Sequence, residues 1–167
     1  MFCFPVRGPS PRVRGAGVST KVFNHIESLN AAFVTRISEA YRSAYGNLGG
    51  REHEYGNIIR AAANLAVETI HRSDAFYHDV EHTMMVTLVG QEIFRGKLLC
   101  EGTVSPRDWA HFTIALLCHD IGYVRGICEG DTDTHAVIDT DGNTVAIPRG
   151  ATDAFLTPYH VERGKMF

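Results

Sequence analysis

Apolar positions along the chain fall into four helical stretches followed by a segment of different texture. From about Phe23, the residues Ile26, Leu29, Phe33, Ile37 and Tyr41 recur at three- and four-residue steps, the spacing of one face of an amphipathic helix. Gly46 to Gly50 breaks that pattern. A second helix then carries Ile58, Ile59, Ala62, Leu65, Ala66 and Ile70 on its face, and His71-Arg72-Ser73-Asp74 reads as a junction with Asp74 as the next N-cap. The third stretch, Tyr77 to about Arg95, has Val80, Met84, Met85, Leu88, Val89, Ile93 and Phe94 spread around much of its circumference, which predicts a buried helix. The fourth opens on Ser105-Pro106-Arg107-Asp108, a cap residue, a proline at the first helical position and an acid in the first turn. It runs through Trp109, Phe112, Ile114, Leu116 and Leu117 to Gly122.

Beyond Arg125 the chain turns to Gly, Pro and Asp, and Asp141-Gly142 stands between two β-branched runs in residues 136–147, which predicts a small β-hairpin with a tight turn. Asp139, Asp141 and Asn143 alternate as calcium-loop ligands do, but the glycine is misplaced for such a loop and the twelfth position is Gly150 rather than Glu. From Tyr159 to Phe167 a polar helical register resumes, and the chain ends in mid-pattern. Residues 1–22 are rich in Pro, Gly and Arg without the apolar core of a secretory signal, so they read as a disordered or extended tail before a helical domain over 23–167. The fold class expected is all-α, a helical bundle with a small inserted β-hairpin.

Composition narrows the function. Sixteen Lys and Arg against nineteen Asp and Glu leave a formal charge of −3, which does not suit a binder of nucleic-acid duplexes. No apolar stretch approaches the roughly 18 residues that a membrane span needs. The four cysteines show no C-x-x-C pairing and read as reduced thiols, as in a cytoplasmic protein.

Nine histidines are more than a routine share, and two clusters hold the informative ones. In Tyr77-His78-Asp79-Val80-Glu81-His82, helical geometry would set His78 and His82 on one face. In Leu117-Cys118-His119-Asp120-Ile121-Gly122, a His-Asp pair ends an apolar helix. A carboxylate at the end of an Ala-Leu-Leu-Cys run needs a partner, because burying it uncompensated is very costly. A divalent metal is the partner that also accounts for the neighbouring histidine. His25, His53, His71 and His111 read as ordinary surface or core residues, whereas His135 and His160 flank the hairpin and could approach a metal cleft.

The His…His-Asp pattern, at this spacing over roughly residues 55–128, resembles the HD-domain metal-dependent phosphohydrolases. The Tyr77-His78-x-x-x-His82 phrase with Val86 beyond it resembles the cyclic-nucleotide phosphodiesterase branch of that superfamily. The resemblance implies that His82, His119 and Asp120 ligate a divalent metal and that His78 is the general acid that protonates the leaving oxygen. The metal would be Mn, Mg, Fe, Zn or Ni, and the substrate a small phosphodiester or nucleotide-like phosphate. Arg125, just past the pair, is a candidate contact for the substrate phosphate. Two departures from the family pattern stand out. Tyr123 occupies the place of a further histidine of the phosphodiesterase branch, which argues against a two-metal site. The distal Asp that closes the family's metal shell has no helical counterpart: Asp131, Asp133, Asp139, Asp141 and Asp153 all lie in the loop or hairpin. The expectation is thus an HD-type domain cut short at its C-terminus. It would act either as a phosphohydrolase or as a module that binds metal or nucleotide without turnover.

Overall fold

The computed structural model describes residues 25–47 and 52–167. It is mostly helical with one small antiparallel β-hairpin. The helices are α1 (His25–Tyr45), α2 (Glu52–Ile70), α3 (Val80–Glu101), α4 (Pro106–Cys118) and α5 (His160–Met166), and the hairpin pairs β1 (His135–Val137) with β2 (Thr144–Ala146). The expected tail at residues 1–22 lies outside the described residues. Among the described residues no helix is long and apolar enough to cross a membrane.

The core forms where the apolar faces of α1 and α2 meet α4. Phe33, Ile37, Tyr41 and Tyr45 of α1 are buried at four-residue intervals against Ile59, Ala63, Ala66, Val67 and Ile70 of α2. Ile58 and Leu65, assigned above to the α2 face, are instead exposed, because the buried stripe runs through the alanines that let the helices approach. Trp109 of α4 closes the far end, with its ring edge-on to Tyr45 at 5.7 Å, and the Tyr45 hydroxyl donates to the Val104 carbonyl at 2.8 Å. Burying each such side chain contributes roughly 1.5–3 kcal/mol.

Helix starts follow local chemistry. Ser105 and Asp108 form the expected capping box, with Pro106 in the first turn. The third helix begins later than its apolar pattern implies: Asp79 is the N-cap and accepts from the His82 backbone N–H at 2.8 Å, so His78 precedes the helix rather than riding on it. Asp74, the cap expected from the sequence, is used elsewhere, accepting from the Asp153 backbone N–H at 2.6 Å.

The expectation of a buried third helix is also corrected. The face of α3 packed on α4 carries Thr83, Thr87, Gly90 and Gln91, while Met85, Val89 and Ile93 are 66, 58 and 63 % exposed. The threonine hydroxyls donate to carbonyls one turn back, so small polar residues go inward without unpaired groups. At Gly90 the helices touch so closely that a Cβ would lie 2.2 Å from Leu116 Cδ1.

The hairpin connection is longer than a two-residue turn. Ile138 N–H reaches the Asn143 carbonyl at 2.8 Å, and the turn inside it closes from Gly142 N–H to Asp139 O, with Gly142 at φ 79°. The Asp139 carboxylate accepts from the backbone N–H groups of Asp141 and Asn143 and from the Asn143 side chain. The alternating Asp and Asn thus build a turn.

The C-terminal part is tied down by one buried cation. Arg163 of α5 has no exposed surface and donates to the carbonyls of Gly122, Val124 and Val137 and to both oxygens of Asp131. These contacts fasten α5 to β1 and to the segment after α4.

Candidate metal centre

At the end of α4 the chain passes from His119 into a short 3-10 turn, Ile121–Tyr123. Gly122 makes this possible: a Cβ there would sit 1.8 Å from the His160 carbonyl oxygen and 2.7 Å from the Gly164 nitrogen, so only glycine admits the backbone of α5. The α5 backbone covers this turn, and Asp120, just before it, is only 3 % exposed.

Three imidazole nitrogens converge on one oxygen of that buried carboxylate. His78 Nδ1 lies 2.8 Å from Asp120 Oδ2, His119 Nε2 lies 3.0 Å away, and His82 Nε2 lies 3.4 Å away. The two Nε2 atoms of His82 and His119 are 3.4 Å apart. His82 Nε2, His119 Nε2 and Asp120 Oδ2 therefore form a triangle with edges of 3.0 to 3.4 Å. A tetrahedral ion with bonds of about 2.1 Å holds its ligand atoms about 3.4 Å apart, and an octahedral one about 3.0 Å apart.

Lone-pair direction points the same way. His119 Nδ1 donates to the Leu116 carbonyl at 2.7 Å, which leaves the lone pair of a neutral ring on Nε2, aimed at Asp120 and His82. That lone pair can accept a hydrogen bond from His82, carry a proton in the ring's own imidazolium form, or ligate a metal ion. In the protonated case the hydrogen bond to Asp120 holds the His119 pKa above its usual value, outweighing burial. Burial pushes the Asp120 carboxyl up, but the bonds from His119 and His78 outweigh it, and the net shift is downward. His78, His82 and Asp120 also form a set whose ligating atoms all lie within 4.8 Å of one another, so His78 can enter the coordination sphere or stand beside it.

The surroundings contain two features that spacing along the chain did not disclose. His78 stacks on Tyr123 at 4.1 Å, and Tyr123 stacks in turn on His160 of α5 at 4.5 Å. On the other side the Tyr77 ring lies 4.6 Å from the His82 ring. The only local signals were aromatic residues beside the motif and Gly122, whose reason becomes visible once α5 is in place. Of the two flanking histidines, His160 reaches the site as the outer layer of this stack, while His135 is exposed beside Thr134. His71 and His111 are exposed, and the side chains of His25 and His53 lie outside the described residues.

Arg125, the candidate phosphate contact, is paired with two carboxylates. Its Nε donates to Asp153 and one terminal nitrogen to Asp74 at 3.2 Å, which ties the segment after α4 to the α2–α3 junction. The loop carboxylates are committed as well: Asp131 to Arg163, Asp153 to Arg125, and Asp139 to its own turn, while Asp133 and Asp141 are exposed. Cys118, next to His119, has its thiol pKa raised by burial, which argues against a thiolate nucleophile there.

The fold and site define a helical protein with a His/Asp cluster capable of holding one metal ion. The chain belongs to the Npun_R2479-like family, whose family model matches residues 23–167. Searches of curated proteins and of solved structures gave no match.

Proposed function

We propose that this chain is a metal-dependent phosphohydrolase of the HD-domain type, cleaving a phosphate ester or a nucleotide-like phosphate. The observation that carries the reading is the triangle of His82 Nε2, His119 Nε2 and Asp120 Oδ2, whose edges match the ligand spacing of a first-row divalent ion. Two imidazoles and a carboxylate suit Mn, Fe, Ni and Zn better than Mg, which favours oxygen ligands throughout. With Tyr123 stacked where a further ligand would stand, the site suits one ion rather than two.

When bound, the ion would lower the pKa of a coordinated water towards about 7 and offset charge on the phosphoryl oxygens. The protein residues do the rest. Asp120, buried and ionised, sets the position of the ligands, and the Leu116 carbonyl fixes the His119 tautomer. His78 donates Nδ1–H to Asp120, and as an imidazolium its Nε2–H is the proton available to a departing alkoxide. Tyr123 holds that ring from one face.

The test is a panel of phosphomonoesters, phosphodiesters and nucleotides offered to the chain loaded separately with Mn, Fe, Ni and Zn, beside His82→Ala and His119→Ala. Metal near one per chain with turnover in wild type alone is the expected result. Metal without turnover of any member favours a second reading, a metal-binding module without catalysis. That reading draws support from Arg125, whose charge is partly offset by Asp153 and Asp74.

A further inference from the structure

The exposed apolar face of α3 is the wall of a groove of about 650 Å³ between α3 and α4, lined by Met85, Val89, Ile93, Phe112 and Leu116. His82 itself lines the groove, with the tilted Tyr77 ring 4.6 Å from it. A helix that turns three large apolar side chains to water and tucks threonines inward keeps a hydrophobic surface at a cost in solvation, and such surfaces mark binding sites. Among the described residues no lysine or arginine lines the groove, whereas the carboxylates of Asp79 and Glu81 do.

We propose that this groove is the apolar-group subsite of the same centre. It takes the alkyl or aryl portion of a phosphate ester whose phosphoryl group lies at His82, His119 and Asp120. The inference rests on the phosphohydrolase reading and narrows its substrate class. Because His82 belongs to both the cluster and the groove, a phosphoryl group at the cluster directs its ester substituent along α3. Hydrocarbon is stabilised there by Met85, Val89 and Ile93. A second or third phosphate in the same place would meet hydrocarbon and the carboxylates of Asp79 and Glu81 with no lysine or arginine, which disfavours nucleoside di- and triphosphates.

The test is calorimetric titration of ethyl, butyl and octyl phosphate into the full chain loaded with Mn²⁺, beside Val89→Glu and Ile93→Gln. Both substitutions are on the exposed face of α3 and leave the cluster intact. At about twofold per methylene for partial burial, octyl phosphate should bind at least tenfold more tightly than ethyl phosphate. Val89→Glu should abolish that dependence on chain length, and Ile93→Gln should weaken it, the loss falling far more on octyl than on ethyl phosphate. Equal affinities for the three esters in wild type would overturn the subsite. So would a chain-length dependence that survives both substitutions, or a wild-type dimer that Val89→Glu converts to monomer without any effect on the esters. Hydrolysis of the bound esters is measured separately. Chain-length-dependent binding with no turnover sinks the hydrolase reading and leaves the subsite standing, whereas turnover with equal affinities for the three esters does the reverse.

Discussion

The Nε2 atoms of His82 and His119 face each other at 3.4 Å, brought together from the first turn of α3 and the end of α4. Two ring nitrogens at that distance beside a buried carboxylate leave room for either a shared proton or a metal ion.

A metal ion bound there would compete with protons for the same atoms. Since the His119 pKa is raised by Asp120, a proton must leave before the metal binds, and affinity should fall as pH drops through that raised value. A chelator competition at pH 6, 7 and 8 should show the apparent affinity for Zn²⁺ rising about tenfold per unit for each proton released. Asp120→Asn should lower affinity at every pH by at least about tenfold.

Metal-free protein has its own pH signature from the same pair. Asp120, with a lowered pKa, contributes stability above its ordinary 3.8, and the contribution is lost as pH falls through the lower folded value. His119, with a raised pKa, contributes fully below its ordinary 6.5, and that part is lost as pH rises through the higher folded value. The Tm difference between wild type and His119→Gln, both metal-free, should be largest between pH 4 and 6.5 and should shrink by pH 9.

His78→Asn separates proton donation from metal binding. With the metal retained, kcat on an alkyl ester should fall by about 10²–10⁴, the usual contribution of a general acid. An ester with a p-nitrophenol leaving group, which departs without a proton, should be far less affected. Equal losses on both substrates would place His78 among the ligands instead.

Gly122 and Gly90 make a graded pair. Gly122→Ala forces a Cβ against backbone at 1.8 Å, and urea unfolding should show a loss of about 3 kcal/mol or more. Gly90→Ala meets side chains rather than backbone, Leu116 Cδ1 at 2.2 Å and Phe112 Cε1 at 3.2 Å, which can shift, so the loss should be about 1–2 kcal/mol. Arg163→Met leaves Asp131 buried without its partner and should destabilise by about 3–5 kcal/mol in the same assay.

The helices were legible from the chain because burial of an apolar stripe is a local, periodic requirement, and Ser105-Pro106 and the Phe33–Tyr41 face show it plainly. His78, His82, His119 and Asp120 were legible for a related reason: polar residues beside apolar helices need a partner, and few partners serve. Less legible was α3, where hydrophobic residues around much of the circumference pointed to a buried helix and left its inward face undetermined. Packing on α4 resolved it in favour of Thr83, Thr87 and Gly90, because close approach demands small side chains.

Amino-acid order alone thus determined an all-α chain with a hairpin and a His/Asp cluster of metal-ligand type, since periodicity and the solvation of charge act within one helix turn. Tertiary structure alone decided that Arg125 pairs with Asp153 and Asp74, that His160 stacks over Tyr123, and that an apolar groove opens from His82. Each of these joins residues distant in sequence, where the competition among partners depends on how the helices pack.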